Sequence, residues 1–508
     1  MFSFKEKRDK MAKKAKSTKS IIQKVTSWQV VIAIQVIASI ALIALMFRLN
    51  ALPMKYLLIL IALVALLCVG TFFLMKPSSK KGQGNIRNII GKVVSLILSV
   101  VLLIGSLYVA KGNSVLDLIS GANTQTTRMS LLVLKDSQYN DVSDLKNKTI
   151  EINNSVDEEN MSKALEALKK DEASIQTNDV KDFDKMAEDL YSGKTPAILV
   201  NQAYYINFEA NHENFANETK EIWHFDITEI VKDISKNVDV TEKLFTIYIS
   251  GIDTSGPVST VSRSDVNMLV TVNPKTKQIL MTSIPRDYYV TLANKGKKDK
   301  LTHAGLAGVE NSVKTLENFL GIDINYYARV NFTSLIKMVD ALGGITVNSP
   351  VAFTTKIGKY EIKEGENKLN AKQALSFVRE RKTFVDGDFA RGRNQQRMIS
   401  AIIKKVCSPA ILTSFSAVLD TVSQSVETNF SSHEINALVQ MQLSDMPSWD
   451  IQSYQISGVP NTLPCYSMGG ISASVVQPSP ASIKQATEYI DALMANQKIQ
   501  TDAGDLNQ

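Results

Sequence analysis

Three uncharged apolar stretches, about Gln29–Phe47, Tyr56–Met75 and Val93–Ala110, fill most of the first 110 residues. Each is close to the ~20 residues that a helix needs to cross ~30 Å of hydrocarbon. Buried helices of a soluble domain are the alternative, but three such runs in succession without one acidic or basic residue fit a bilayer better. No small-residue cleavage site follows the first run and two more runs come after it, which disfavours a cleaved signal peptide.

Charge gives these spans a direction. Residues 1–110 hold 16 Lys/Arg against two acids, Glu6 and Asp9, whereas residues 111–508 hold 41 basic and 48 acidic residues. Nine of the basic residues precede the first run (Lys5, Lys7, Arg8, Lys10, Lys13, Lys14, Lys16, Lys19, Lys24). Five more (Lys76, Lys80, Lys81, Arg87, Lys92) link runs two and three, and only Arg48 and Lys55 link runs one and two. By the positive-inside rule the N-terminus and the second link are cytoplasmic, and the polar bulk lies outside the cell. A basic footprint on the folded part, which a duplex nucleic-acid binder needs, is missing, so no nucleic-acid partner is expected.

The expected organisation is a cytoplasmic basic segment (1–28), three transmembrane helices (29–110), a linker and small α/β accessory domain (111–240), a larger α/β domain (241–498) and a polar tail (499–508). In the accessory domain the pattern predicts strands at Met129–Leu134 and Ala197–Asn201 and helices near Asn160–Lys169 and Phe183–Ser192. It holds no cluster of catalytic residue types and reads as a spacer or positioning module. In the larger domain, strands are expected at Leu244–Gly251, Met268–Val272, Gln278–Ser283 and Ile345–Asn348. Helices are expected around Val309–Leu320, Phe332–Leu342, Ala371–Arg379 and Gln395–Val406, with further helices and a strand after them. Three cysteines exclude a disulfide-rich scaffold and a Cys-based metal cluster. Cys68 lies in an apolar run, and a pairing of Cys407 with Cys465 stays open.

Four histidines (His212, His224, His303, His433) form no HExxH pair, and GxSxG, Walker-A and GxGxxG motifs are all missing, which argues against serine hydrolase, zinc peptidase and P-loop chemistry. What stands out is a set of arginines and aspartates at strand ends and loops: Asp253, Arg263, Asp265, Arg286, Lys300, Arg379, Arg381, Asp388, Arg391, Arg393 and Gln395. Charged groups that follow apolar strands are presented by loops from a rigid sheet. Carboxylates such as Asp253 and Asp265 suit Mg²⁺, and arginine forks suit phosphate. Each residue alone is more often a solvated charge or an ion-pair partner. Together they spell a pyrophosphate clamp with a metal.

At these residues the chain resembles the LytR-CpsA-Psr family of cell-wall proteins, in particular its streptococcal capsule-associated branch. The resemblance runs through GID at 251–253, SRSDVNMLVTVNPKTKQILMTSIPRD at 262–287, KLTHA at 300–304, NFTSLIKMVDALGGITV at 331–347, and LNAKQALSFVRERK and GDFARGRNQQ within 369–396. The three-span anchor and the intervening small module resemble the capsule-type members too.

The resemblance implies an α/β/α domain with a mixed central sheet and an apolar groove for a polyprenyl chain. It also implies a phosphotransferase that moves a glycopolymer, capsular polysaccharide in this branch, from undecaprenyl pyrophosphate to peptidoglycan and releases undecaprenyl phosphate. Carried over by motif, Asp253 and Asp265 would face Mg²⁺, with Mn²⁺ as an alternative. Arg263, Arg286, Arg379, Arg381 and Arg391 would hold the pyrophosphate, and Asp388 and Gln395 would complete the site. Many members carry arginine directly before the Gln pair, where this chain has Asn394, so the role of Arg393 is open; Lys300, in a Gly/Lys-rich loop, is the weaker candidate.

The lipid tail would run along the apolar faces of Val330–Leu342 and Ala401–Leu419. Partners implied are the lipid-linked polymer, peptidoglycan and the membrane, with capsule-synthesis proteins as further candidates. The competing readings are a noncatalytic membrane-anchored attenuator or assembly factor of capsule synthesis, and a transcriptional regulator using the basic N-terminus. The latter has no helix-turn-helix pattern to support it, and topology already explains its charges.

Overall fold

The computed structural model describes residues 26–76, 84–119, 124–209, 211–252, 257–409 and 411–501. Asp253, the basic residues up to Lys24, Lys80 and Lys81, and the tail from residue 502 lie outside them. The chain divides into two compact units, residues 1–117 with 435–445, and residues 118–434 with 446–508.

The first unit carries three helices long and apolar enough to cross a membrane: α1 (Trp28–Leu49), α2 (Met54–Met75) and α3 (Gly84–Ile119). Polar atoms on different helices must satisfy one another where no water is available. The side-chain Oε1 of Gln35 on α1 accepts from Thr71 on α2 at 2.9 Å and from Ser95 on α3 at 2.6 Å, which ties the three together. Helix α3 runs on to Ile119, so the polar stretch expected to be a linker from residue 111 is helical for most of its length. Its Ser114 hydroxyl bonds back to the Ala110 carbonyl, within the helix.

In the second unit, the accessory segment forms β1 (Thr124–Leu134), β2 (Thr149–Ile152), α4 (Glu158–Asp171), β3 (Gln176–Asp179), α5 (Phe183–Tyr191), β4 (Ile198–Asn201) and β5 (Thr219–Ile230). The sheet order is β3-β2-β4-β1-β5, with β2 parallel to both its neighbours and β1 antiparallel to both of its own. Strands β2, β3 and β5 were not anticipated. The first two are only four residues long: β2 (TIEI) alternates too briefly to stand out, and β3 (QTND) is exposed throughout and has no apolar residue.

The larger domain contributes β6 (Phe245–Ile252), β7 (Ser264–Asn273), β8 (Gln278–Ile284), α6 (Gly308–Leu320), β9 (Tyr326–Asn331), α7 (Phe332–Ala341), α8 (Ala371–Arg379), α9 (Asp388–Val406), α10 (Ile411–Ser425), β10 (Glu427–Thr428), β11 (Asp450–Gln455) and α11 (Pro480–Met494). Its mixed sheet has the order β10-β9-β6-β7-β8-β11, with β9 parallel to β6, β11 parallel to β8, and the other pairs antiparallel. Side chains alternate across a strand. On β6, Tyr248 joins the core beneath α6, while Ile249 and Gly251 face the opposite side, where α7, α8 and α9 pack. This is the α/β/α arrangement with a mixed sheet. Cys407 and Cys465 are both thiols, and no disulfide joins them.

The two sheets share one compact unit. Leu306 from the larger domain packs into the accessory core beside Phe183, Tyr204 and Phe208. Asn207 donates to the Ser467 carbonyl at 2.9 Å, and Tyr466 donates to the Ser155 carbonyl at 3.1 Å. His303, from the KLTHA motif, is buried near this seam, 2.7 Å from Asp299, whose other oxygen accepts from the Ser467 amide. Burial works against the Asp299 charge, but the histidine and the amide outweigh it and hold the carboxyl below its usual range.

Arg329 on β9 is almost fully buried, 3.4 Å from Glu427 on β10 and bonded to the Thr260 carbonyl. Removing one partner of a buried pair leaves an uncompensated charge. Arg329→Leu is expected to destabilise the second unit by about 3–5 kcal/mol, and Arg329→Leu with Glu427→Leu to recover most of that loss. Thermal unfolding of the detergent-solubilised chain measures both.

Candidate active site

Strand β7 begins at Ser264, whose buried hydroxyl contacts Tyr248 at 2.9 Å and Ser250 at 2.8 Å; Tyr248 also donates to Asn267 at 2.6 Å. This network fixes the start of the strand from one face of the sheet. The next residue, Asp265, therefore points to the other face, flanked by Arg263. The sheet is tight here, since a Cβ on Gly251 would come within 2.6 Å of Val266, so β6 and β7 approach as only glycine allows.

Asp265 accepts from Arg286, at the end of β8, at 2.8 Å, and from Thr302 at 3.0 Å. Burial raises its pKa, but Arg286, Arg263 and Arg391 outweigh burial and hold it below the usual carboxylate range. Burial likewise works against the charge of Arg286, and Asp265, Asp287 and Asp388 overcome it, raising its pKa. The Arg286 Nε is buried without a hydrogen bond, 3.6 Å from each of Asp287 and Asp388.

Helix α9 starts two turns earlier than its apolar period indicated. Asp388 takes its first position, where an acid suits the helix dipole, and pairs with Arg391 one turn on at 2.8 Å. These residues thus stand on a helix and not in a loop. Gly392 lets that helix sit against the sheet, because a Cβ there would come within 2.3 Å of Gln455 on β11. Gln455 in turn donates to the Phe389 carbonyl at 3.0 Å. Arg391 is buried beside Arg286, and both factors lower its pKa against the pull of Asp388 and Asp265.

The arginines open onto a cavity of about 720 Å³. Arg263, Asp265, Arg286, Arg379, Arg381, Arg391 and Gln395 all line it. Arg379, the last residue of α8, lies over the Phe332 ring at 4.3 Å. The cavity changes character along its walls. On α9, Arg391 and Gln395 are followed by Met398, Ile399 and Ile402, a passage from charge to hydrocarbon over roughly 16 Å at 1.5 Å per residue. On α7, Phe332 and Ser334 give way to Leu335 and Met338. Val330, Ile249 and Val426 complete this apolar stretch, and the accessory module adds Ile206.

Three candidate residues stand apart. Lys300 ends a short strand and pairs with Asp287 at 3.1 Å, outside the cavity lining. Arg393 pairs with Asp386 at 2.5 Å and reaches Gln455 at 3.3 Å. Asp388 lines a small neighbouring pocket with Asp287, Gly392 and Gln455, which shares Asp265, Arg286, Arg391 and Gln395 with the cavity. Asn394, at the position of the family departure, is buried, and its amide donates to the Phe377 carbonyl.

Of the apolar face proposed at Ala401–Leu419, Ile402 alone among the described side chains lines the cavity, while Ala401 and Val418 belong to the helical core. Ile402 is on the α9 face that continues from Gln395, and Ala401 is rotated from it by one residue. The face expected at Val330–Leu342 does line the cavity, through Val330, Phe332, Leu335 and Met338, whereas reasoning from sequence gave no role to Thr302, Lys356 or Glu380. Glu380, the middle residue of RER, is buried and accepts from the Lys356 amide and from the Thr383 amide at 3.1 Å. Burial opposes its charge, yet these amides hold its pKa below the usual range.

The profile of the LytR_cpsA_psr family matches residues 198–488, more than half of the chain. The chain belongs to the LytR-CpsA-Psr family. A second profile, described as DNA polymerase processivity factor, matches residues 88–200, from within α3 to β4. Two curated relatives are each named polyisoprenyl-teichoic acid–peptidoglycan teichoic acid transferase TagU. The one from Bacillus licheniformis is 36% identical over 46% of this chain and 74% of its own length. The one from Bacillus subtilis is 37% identical over 43% of this chain and 66% of its own length. The crystal structure of B. subtilis TagV is similar at 29% identity and a TM-score of 0.42, covering 51% of this chain and 99% of that one.

The pH dependence of this LytR-CpsA-Psr site follows from Asp265. Its folded pKa lies below the unfolded value, so its stabilising contribution is complete above the unfolded pKa and is lost as pH falls through the folded one. The difference in melting temperature between wild type and Asp265→Asn is expected to stay level from about pH 7 to about pH 5 and to close only below about pH 4, read by thermal unfolding across that range.

Proposed function

We propose that this protein is a membrane-anchored transferase that moves a glycopolymer from a polyprenyl-pyrophosphate carrier to peptidoglycan. The observation that carries this is the cavity itself, which runs from a lining of Asp265 and five guanidiniums to an apolar stretch on α7 and α9. An isoprenoid diphosphate has the same two chemistries in one molecule. The transferase names of the TagU relatives support the transfer of a cell-wall polymer to peptidoglycan. Capsular polysaccharide as the polymer and undecaprenyl as the lipid are our reading of the resemblance to the capsule-type branch. The distribution of Lys and Arg around the spans supports a cytoplasmic N-terminus and an extracytoplasmic catalytic part.

In this mechanism the acceptor sugar hydroxyl attacks the phosphorus attached to the polymer. A new P–O bond forms to peptidoglycan, the bond to the bridging oxygen breaks, and polyprenyl phosphate leaves with the bonding electrons while the hydroxyl proton passes to water. Charge grows on the leaving phosphate, so donors held there in advance stabilise the transition state more than the ground state. Arg286, with its unbonded Nε, and Arg391 line both the cavity and the small pocket of Asp388, so they can meet carrier and acceptor together. Asp265, held ionised below the usual range, is a poor proton acceptor at neutral pH, and its part is to offset the crowded guanidiniums.

Among the described residues no group of three or more His, Cys, Asp or Glu is placed to hold a metal. Mg²⁺ is carried over from the family resemblance: that ion takes one or two carboxylates and fills its remaining positions with water and phosphate oxygens, and of the two carboxylates only Asp265 is among the described residues, bonded there to Arg286 and Thr302. Asp265, with Asp253, would hold it, and Mn²⁺ would suit the same ligands; when bound the metal would neutralise phosphate charge.

The full chain in detergent, supplied with Mg²⁺, a polyprenyl-pyrophosphate oligosaccharide and peptidoglycan fragments, is expected to yield a phosphodiester-linked adduct and polyprenyl phosphate by mass spectrometry. Asp265→Ala and Arg381→Ala are expected to lower the rate about 10²–10³-fold while carrier still binds. Carrier binding with no adduct under any metal condition would instead mark a noncatalytic attenuator.

A further inference from the structure

Two loops form one rim of the cavity. The hairpin Phe353–Thr354/Glu361–Ile362 carries Lys356 and Ile357 into the lining, and the segment from Arg381 to Gly387 carries Arg381 and Lys382. Glu380 binds them together through the Lys356 and Thr383 amides. Thr383 also donates to the Thr354 carbonyl at 3.3 Å. Phe353 packs edge-on against Phe384, with ring centroids 4.8 Å apart. The rim is therefore a built element and not two independent loops.

The rim shows apolar and basic groups to solvent side by side. Val385 at the tip of one loop is fully exposed, and Ile357 at the tip of the other is 55% exposed. Lys356, Lys359 and Lys382 beside them are exposed and, among the described residues, enter no ion pair. Three unpaired lysines against Glu361 and the Arg393-paired Asp386 leave these apolar tips in net positive surroundings, which match a bilayer surface, where the apolar groups enter the headgroup boundary and the lysines meet anionic phosphates.

We infer that this rim seats on the anionic surface of the membrane. Such seating opens the cavity mouth at Ile357 directly onto the hydrocarbon boundary, so a polyprenyl chain passes between bilayer and cavity without crossing water. The seating itself rests on the exposed residues and their charge; the lipid path rests on the proposed function.

The test uses the full chain reconstituted in vesicles, with an environment-sensitive fluorescent amino acid incorporated in place of Val385, or in place of Lys170 on the exposed face of α4 as a reference. Lipids spin-labelled near the headgroup act as quenchers, in phosphatidylcholine alone or mixed with phosphatidylglycerol. The expected result is strong quenching at position 385 and little at 170, enhanced by phosphatidylglycerol. Replacing Lys356, Lys359 and Lys382 by Gln is expected to weaken the contact about fivefold per lysine. Equal quenching at the two positions overturns the inference. So does a spectral shift at 385 that disappears on diluting the protein in the vesicle, since a second copy of the chain would then be what covers the rim. The readout needs no turnover: a chain that transfers polymer without quenching loses this inference alone, and a quenched chain that transfers nothing loses only the proposed function.

Discussion

Like charges crowded into one cavity repel, and the architecture of the second unit is organised around containing that repulsion. Arg263, Arg286, Arg379, Arg381 and Arg391 share a lining with a single described aspartate, Asp265. Asp287 and Asp388 stand behind Arg286, each 3.6 Å away, and Asp388 also holds Arg391. Such an arrangement costs stability in the resting protein, because the arginines are partly desolvated beside one another. A bound diphosphate relieves the same strain, so the excess positive charge is itself a source of affinity. The opposing shifts of Arg286, raised, and Arg391, lowered, show how unevenly the carboxylates share their effect.

Containment needs a stiff frame, and the sheet supplies one. Ser264, Tyr248, Ser250 and Asn267 fasten β7 from beneath, Gly251 admits the close approach of β6, and Gly392 lets α9 lie against β8 and β11. Packed interiors do not deform continuously. A displacement of α9 would therefore move Asp388, Arg391 and Gln395 together. Glu380 extends the same logic outward, using one buried carboxylate to order two loops that carry cavity residues.

The sequence was most legible where periodicity and chemistry coincide. Three long uncharged runs announced α1 to α3, and strands β6 to β8 were placed to within one residue at every end but the start of β7, which lies four residues earlier than expected. The arginines were conspicuous because arginine is costly near apolar segments unless it has a task. Short elements were not legible: β2 and β3 owe their strand conformation to neighbours brought in by the fold. The first turns of α9 were hidden because Asp388, Arg391 and Arg393 look like loop residues until the helix aims them. The linker reading at residue 111 failed because α3 continues as a polar helix beyond its apolar part. Glu380 and Thr302 lie within the RERK and KLTHA motifs, but nothing there showed their roles, which depend on Lys356 and Asp265 being brought to them by the fold.

Leu306 offers a last consequence. It belongs by sequence to the larger domain and by packing to the accessory core, where it lies with Phe183, Tyr204 and Phe208, while Ile206 crosses the other way into the cavity wall. Each domain thus completes an interior of the other. The boundary near residue 240 divides two sheets but not two independent folding units, and a chain severed there would leave an unfilled space on one side and an uncovered wall on the other. Exchange of the accessory module between relatives is accordingly constrained: a transplanted module has to bring a socket for Leu306 and a counterpart of Ile206.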